Sequence, residues 1–313
     1  MSNLIVSTSP HIHTKTTTQS IMRDVLIALS PAAVASVVLF GLKALLIIAL
    51  CVGTCLLSEF LFNLITKKKQ TVSDLSACVT GLLLALSLPA KTGIWECIVG
   101  SVFAIVVVKC LFGGIGCNFA NPAVTARVLL LSSFAGSVAG GTVTNFQSVD
   151  IVGGSTPLAN LQAGSLDNLP SLLEMLIGNR GGAIGETCII ALVIGGVYLI
   201  VRKVIHWEVP VLMLGTVFAI SLIANLDFTV ALYDLLGGGA VLAAFFMITD
   251  YSTTPINKLG KMVFAIGCGA ITMVFRLYSS LPEGVSYAVL IMNIISPYIE
   301  KLCAKKPFGK VGK

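Results

Sequence analysis

Apolar residues run along this chain in blocks close to twenty residues long, parted by short polar intervals, and that pattern predicts membrane-spanning helices. A helix needs about 20 residues to cross roughly 30 Å of hydrocarbon. Ten such blocks are read, at 24–42, 43–65, 72–90, 94–112, 119–135, 183–202, 209–225, 230–249, 262–279 and 284–302. One polar interval is far longer than the rest: residues 136–182 divide the blocks into two sets of five, and near its middle stands DIVGGSTPL, 150–158. Taken alone, GGSTP reads as a turn.

Basic residues give the blocks a direction, because Lys and Arg accumulate on cytoplasmic loops. With both termini inside, the inner loops hold Lys67, Lys68, Lys69, Arg202, Lys203, Lys258 and Lys261, and the tail holds Lys301, Lys305, Lys306, Lys310 and Lys313. The outer loops hold Asp150, Asp167, Glu174, Asp227 and Glu283, with Lys43, Lys91 and Arg180 as exceptions. The interval 136–182 thereby falls on the extracytoplasmic side. Residues 1–23 lack a basic stretch leading into an apolar one and are expected to stay as a cytoplasmic arm. Residues 303–313 form a basic cytoplasmic tail.

A shift of 160 positions lays the two sets of blocks over each other: Asp74 falls on Asp234, SACVTGLLLALSLPA on LGGGAVLAAFFMITD, and Pro122 on Pro282. Five spans is an odd number, so two copies enter the membrane in opposite senses, as an inverted repeat over 24–135 and 183–302. The expected fold is thus an all-α integral membrane protein of about ten transmembrane helices in two inverted five-helix repeats. Some helices are broken. SLPAKTG at 87–93, FGGIGCNFANPA at 112–123, MITDYSTTP at 247–255 and YSSLPEG at 278–284 put Gly, Pro, Asn or Ser at membrane depth. There the backbone must be buried in protein or line a polar cavity, since lipid satisfies no N–H or C=O; the plainer reading of any one break is a surface turn.

Composition agrees with the membrane class: 56% of residues are hydrophobic, 11% are charged and mean hydropathy is +0.97. The formal net charge of +6 sits in short loops and the tail, where orientation and anionic lipid account for it, so no nucleic-acid partner is implied. Nine cysteines form no CxxC pair and lie mostly in apolar runs, where free Cys acts as a small hydrophobe. The three histidines are a lone HxH at His11 and His13 and a distant His206, and no metal site is expected from them. Ionisable residues inside apolar blocks carry more information, since each costs about 2.5–3.5 kcal/mol at a helix centre on insertion scales. Glu59, Arg127, Glu186, Asp250 and Arg276 are of this kind. Glu186 opens the sixth block, where it could serve as a helix N-terminal charge, and Asp250 ends an apolar helix just before a break. These two are the ion-path candidates.

RDVLIALSPA at 23–32, GLLLALSLPA at 81–90, FGGIGCNFANPA at 112–123, GGAIGET at 181–187, AAFFMITDYSTTP at 243–255 and GVSYAVLIMNIISPYI at 284–299 together resemble the D subunits of Rnf electron-transport complexes. The likeness covers nearly the whole chain. The B subunit of the sodium-pumping NADH:quinone reductase is similar but carries a longer N-terminal extension. The resemblance implies an FMN joined through its phosphate to a threonine hydroxyl, in a pattern of Asp, two variable residues, Ser or Thr, Gly, Ala, Thr. Here Asp150 takes the Asp place, Gly153 the Ser/Thr place, Gly154 the Gly, Ser155 the Ala and Thr156 the acceptor. Two positions depart from the pattern, and Ser155 becomes a neighbouring competitor. The acceptor needs an exposed hydroxyl on a chain that a flavin transferase can grip; Gly153 and Gly154 clear the approach, and Pro157 pushes Thr156 toward an extended backbone.

The resemblance further implies a non-covalent riboflavin among the spans, with no residue identified for it. It also implies partnership with the other Rnf subunits, A, B, C, E and G, in a bacterial cell membrane. The expected function is a flavin-carrying subunit of a redox-driven translocase, inactive alone, that couples electron transfer between ferredoxin and NAD to export of sodium ions or protons. Ferredoxin, NAD and iron–sulfur sites would belong to other subunits, since this chain has no Gly-rich strand-to-helix motif and no clustered Cys. The competing class is a solute channel of the urea or ammonium type, which also uses inverted five-span repeats with broken helices.

Overall fold

The computed structural model describes residues 16–142, 153–163, 169–279 and 283–304. Among these residues, fourteen α-helices and one short ribbon follow the apolar blocks. α1 (Thr18–Phe40) begins at a capping box between Thr17 and Ser20 and hands over to α2 (Leu42–Ile65) at Gly41, whose φ of +67° makes a one-residue turn. α3 (Ser76–Ser87), α4 (Ile94–Val102, continued as a π-helix over Phe103–Cys110) and α5 (Pro122–Ser133) complete the first set. α5 starts where its sequence says it should: the Asn121 side chain accepts from the N–H groups of Ala123 and Val124, and Pro122 takes the first helical position.

After the short α6 (Ala135–Val138), Gly141–Thr142 (β1) pairs antiparallel with Gly153–Gly154 (β2), and α7 (Pro157–Gln162) and α8 (Leu172–Ile177) follow. The second set comprises α9 (Ile189–Val201), α10 (Glu208–Asn225), α11 (Phe228–Leu236), α12 (Ala240–Leu242, continued as a π-turn over Ala243–Met247), α13 (Lys258–Tyr278) and α14 (Val285–Cys303). The sets interlock, because α1 packs along α9 and α5 along α14. Arg202, which follows α9, pairs with the buried Asp24 of α1 at 3.2 Å, tying the same seam.

Helix lengths differ from the block lengths. Among the described residues α1, α2, α10 and α13 are long and apolar enough to cross a membrane, and α11 with α12 makes a fifth span if that pair, bent by 59°, is taken as one. α3 and α5 have 12 residues each, which at 1.5 Å per residue reach about 18 Å. These half-helices sit inside protein. Every residue of α3 from Thr80 to Ser87 is buried, and Gly81 lies so close to α2 that a Cβ would stand 2.8 Å from the Cys51 carbonyl oxygen.

The chain after α3 then shows where a broken helix finds its hydrogen bonds. Ile184 N–H donates to the Leu88 carbonyl and Gly185 N–H to that of Leu86, at 2.9 and 2.7 Å. The GGAIGE segment supplies these donors from inside the protein, as burial of irregular backbone requires. The break at 237–239 differs from expectation, since the block 230–249 reads as continuous yet bends there. Outward-facing Val38, Leu64, Ile65, Ile223 and Leu302 are strongly exposed, an apolar surface suited to lipid.

Candidate functional site

Thr156 caps α7. Its hydroxyl accepts from the Ala159 N–H at 3.2 Å and its backbone is extended, as a residue before proline should be. The expectation of an exposed hydroxyl fails. Thr156 is 3% exposed and Ser155 is the outward-facing residue of the two. The cause is packing: the Thr156 methyl lies 3.0 Å from where a Cβ on Gly141 would stand, so the ribbon glycine lets the side chain tuck in. Gly153 and Gly154 supply the other strand of that ribbon. Asp150 lies outside the described residues, as does Asp167.

α7 is docked rather than free. Leu158, 2% exposed, fills the notch at Gly237 and Gly238, where an added Cβ would come within 2.9 and 2.3 Å of its side chain. At the other end the Gln162 amide donates to the carbonyl of Arg276 at 2.8 Å, and Tyr233 of α11 donates to the Pro170 carbonyl at 2.7 Å. The segment carrying Thr156 is thus seated on the glycine break between α11 and α12. On its other side a groove of about 560 Å³ is lined by Gly154, Ser155, Pro157, Asn160 and Arg180.

The break itself is held by charge. The Arg276 guanidinium donates to the carbonyls of Asp234 and Gly237, at the end of α11, and lies 4.0 Å from the Asp234 carboxylate. Glu186 reaches the opposite side, where its Oε1 is 2.4 Å from the position of a Cβ on Gly239, the residue preceding α12. A cation therefore meets a helix C-terminus and an anion a helix N-terminus, which is the arrangement the backbone dipoles favour. Gly239, with φ +68°, could carry no side chain there.

Glu186, an ion-path candidate that could also have charged the start of its own helix, lies instead against the start of α12 and pairs with Arg127 at 2.8 Å. The same guanidinium bonds Glu283 at 2.9 Å. Arg180 donates to the Glu186 carbonyl at 2.7 Å, and burial pulls its guanidinium down to about 10. Burial also pushes the Glu283 carboxyl up to about 7, with the Glu186 charge adding to the effect and Arg127 opposing it. Asp250 joins no ion pair among the described residues. Its carboxylate accepts from the Ser252 backbone and hydroxyl at 3.1 and 2.9 Å, capping the turn that follows the π-turn of α12.

One buried pair was not anticipated. Lys109, inside VVVKCLF, is 2% exposed and donates to Glu59 of α2 at 2.8 Å and to the Ser76 hydroxyl at 2.6 Å. Thr71 donates to the other oxygen of Glu59 at 2.6 Å. A lysine within a run of valines was the available signal.

Together the half-helices, the buried break after α3 and the paired buried charges define a polytopic helical membrane protein. The chain belongs to the NQR2, RnfD, RnfE family, which it matches over residues 5–309. It is 44% identical to the D subunit of the Na(+)-translocating ferredoxin:NAD(+) oxidoreductase complex of Acetobacterium woodii, over 98% of this chain and 96% of that protein. It is 37% identical to the D subunit of the proton-translocating ferredoxin:NAD(+) oxidoreductase complex of Clostridium ljungdahlii, over 97% and 96%. Identity to the D subunit of the ion-translocating oxidoreductase complex of Stutzerimonas stutzeri is 36%, over 93% and 92%. The resemblance to Rnf D subunits is borne out.

Proposed function

We propose that this chain is the D subunit of a membrane complex that couples electron transfer between ferredoxin and NAD to ion export, and that it carries FMN on Thr156. Near full-length similarity to relatives of that name supports the complex and its other subunits as partners. The carrying observation for the flavin is Thr156 at the head of α7, whose neighbours Ser155 and Pro157 line a groove able to hold a ring system. The groove fits the group: a cofactor site of about 300–1,000 Å³ is usual, and Arg180, one of its lining residues, puts a positive charge beside it that suits a phosphate. Bound there, FMN would supply one- or two-electron transfer.

The chain's own part is positional. Leu158 and Gln162 fix α7 on the break, so a group on Thr156 would be held at a set distance from the buried Arg276 and Glu186. Attachment requires the Thr156 hydroxyl to leave its cap, which costs about 1 kcal/mol. That is modest, so a transferase acting before α7 docks meets little resistance. The loop's extracytoplasmic placement rests on the distribution of Lys and Arg, and so do cytoplasmic termini. The two helix sets, read as inverted repeats, would put the seam of α1 with α9 and α5 with α14 at the centre of the protein.

A second flavin, riboflavin, has one candidate place: a central cavity bordered by Ser76, Thr80, Asn118, Asn121 and Phe245. The buried Asn118 Oδ1 has no hydrogen-bond partner and would suit a ring N–H. The volume, about 90 Å³, is too small for a tricyclic ring. No step is assigned to riboflavin. Glu186 and Asp250 remain ion-path proposals of unequal standing, since Glu186 is locked to Arg127 whereas Asp250 borders the central cavity.

A denaturing gel viewed under ultraviolet light tests the reading. The band should fluoresce when the protein comes from cells that possess the flavin transferase, and Thr156→Val should abolish the fluorescence while the complex still assembles. A dark wild-type band would favour the solute-channel class; a fluorescent Thr156→Val band would move the attachment, with Ser155 next to be replaced.

A further inference from the structure

Two cavities meet at the Lys109–Glu59 pair. One is a vestibule of about 130 Å³ beside the loop after α2, lined by Glu59, Asn63, Thr71, Lys68 and Lys69. The other is the central cavity, where Lys109 and Ser76 form part of the wall and Asp250 another part. Glu59 borders only the vestibule and Lys109 only the central cavity, with 2.8 Å between their charged atoms. The pair is the partition. Glu59 is 1% exposed and Lys109 2%, yet a buried ion pair of this sort adds little net stability. A π-helix carries Lys109, a helix form concentrated at functional positions.

We propose that Glu59 is a monovalent-cation site on the ion path and that the Lys109 ammonium is its resident counter-ion, displaced when a cation enters from the vestibule. This rests on the ion-export reading above. At rest the pair is neutral. A cation entering from the vestibule takes the Glu59 carboxylate, with the Thr71 hydroxyl as a further oxygen ligand, and the ammonium turns toward the central cavity and the carboxylate of Asp250. Charge then balances as two carboxylates against one ammonium and one cation. While the ammonium is turned aside the cation passes from Glu59 into the central cavity, and return of the ammonium to Glu59 then closes the partition behind it. Lys68 and Lys69 at the vestibule rim are exposed, so salt screens them and they raise only a small barrier.

The site also explains the placement of Thr71 and Asn63. Asn63 donates to the Thr71 hydroxyl at 3.0 Å, which aims the Thr71 proton at Glu59. The same chemistry serves sodium or a proton: sodium would be held by the carboxylate and hydroxyl oxygens, and a proton would neutralise Glu59 and free the ammonium in the same way.

The test uses the whole complex in inverted membrane vesicles, with ferredoxin-driven NADH formation measured beside uptake of radioactive sodium and beside acidification. The double variant Glu59→Gln/Lys109→Met removes both charges and leaves no lone buried ion. Ion uptake per NADH should fall at least tenfold, in the sodium arm for a sodium pump and in the acidification arm for a proton pump. Uptake per NADH equal to wild type would overturn the proposal. Wild-type vesicles that form NADH without moving either ion would instead overturn the ion-export reading. Should the double variant not assemble, Thr71→Val decides: it should raise several-fold the sodium or proton concentration giving half-maximal uptake, and an unchanged value refutes the site.

Discussion

Replacing Arg127 by methionine tests whether the buried charges hold the two helix sets together. Arg127 stands on α5, Glu186 lies before α9 and Glu283 before α14, so one guanidinium joins three parts of the chain at 2.8 and 2.9 Å. All three side chains are nearly or fully buried, from 2% to 11% exposed. Removing one partner of a buried pair costs about 3–5 kcal/mol, because the other charge stays behind without compensation. Two pairs would double that sum. It does not double, because the Glu283 carboxyl is already pushed up to about 7 and takes a proton once Arg127 is gone. The expected loss is therefore one pair's worth, about 3–5 kcal/mol, and at about 2 °C per kcal/mol for a large chain it lowers the melting temperature by about 6–10 °C. Heating the detergent-solubilised complex and following what survives on gel filtration measures it. The triple variant Arg127→Met/Glu186→Gln/Glu283→Gln leaves no lone charge and should recover at least half of the loss. A single variant within about 1 °C of wild type, or a triple variant as unstable as the single one, would refute this account of the network.

Two further outcomes follow from the same geometry. Leu158→Ala empties the notch at Gly237 and Gly238 and should destabilise the docked α7 by about 2–5 kcal/mol, read as faster proteolytic cleavage near Thr156; unchanged cleavage would mean that α7 is held elsewhere. Glu283 gives the stability a pH dependence: its carboxyl in the folded chain sits at about 7 against an ordinary 4.5, so the folded state binds the proton more tightly and stability falls as pH rises between those values. Glu283→Gln should flatten that part of the melting profile, and an equally steep profile would count against the assignment.

The order and position of the helices were legible because apolar runs and helix caps are local: Asn121-Pro122 starts α5 where the residues indicate. The breaks at 87–93, 112–123 and 247–255 announced themselves through Gly, Pro and Asn. The break at 237–239 did not, since its glycines lie between apolar residues and hydropathy averages over them. The same averaging hid Lys109 among its valines. By itself GGSTP around Thr156 reads as a turn, and only the family resemblance gave it a further meaning; the charged residues that the membrane makes costly could be read directly. Their partners could not. Arg127 meets Glu186 and Glu283 from 59 and 156 positions away, Arg276 caps a helix 39 residues earlier, and Thr156 is buried because Gly141 lies over it. Sequence alone singled out Glu59, Arg127, Glu186 and Arg276 as charges within or beside apolar runs, and these are buried. Which charge neutralises which, and which hydroxyl faces inward, only the tertiary structure decided, because hydrogen bonds act over about 3 Å and the chain distance between partners says nothing about them.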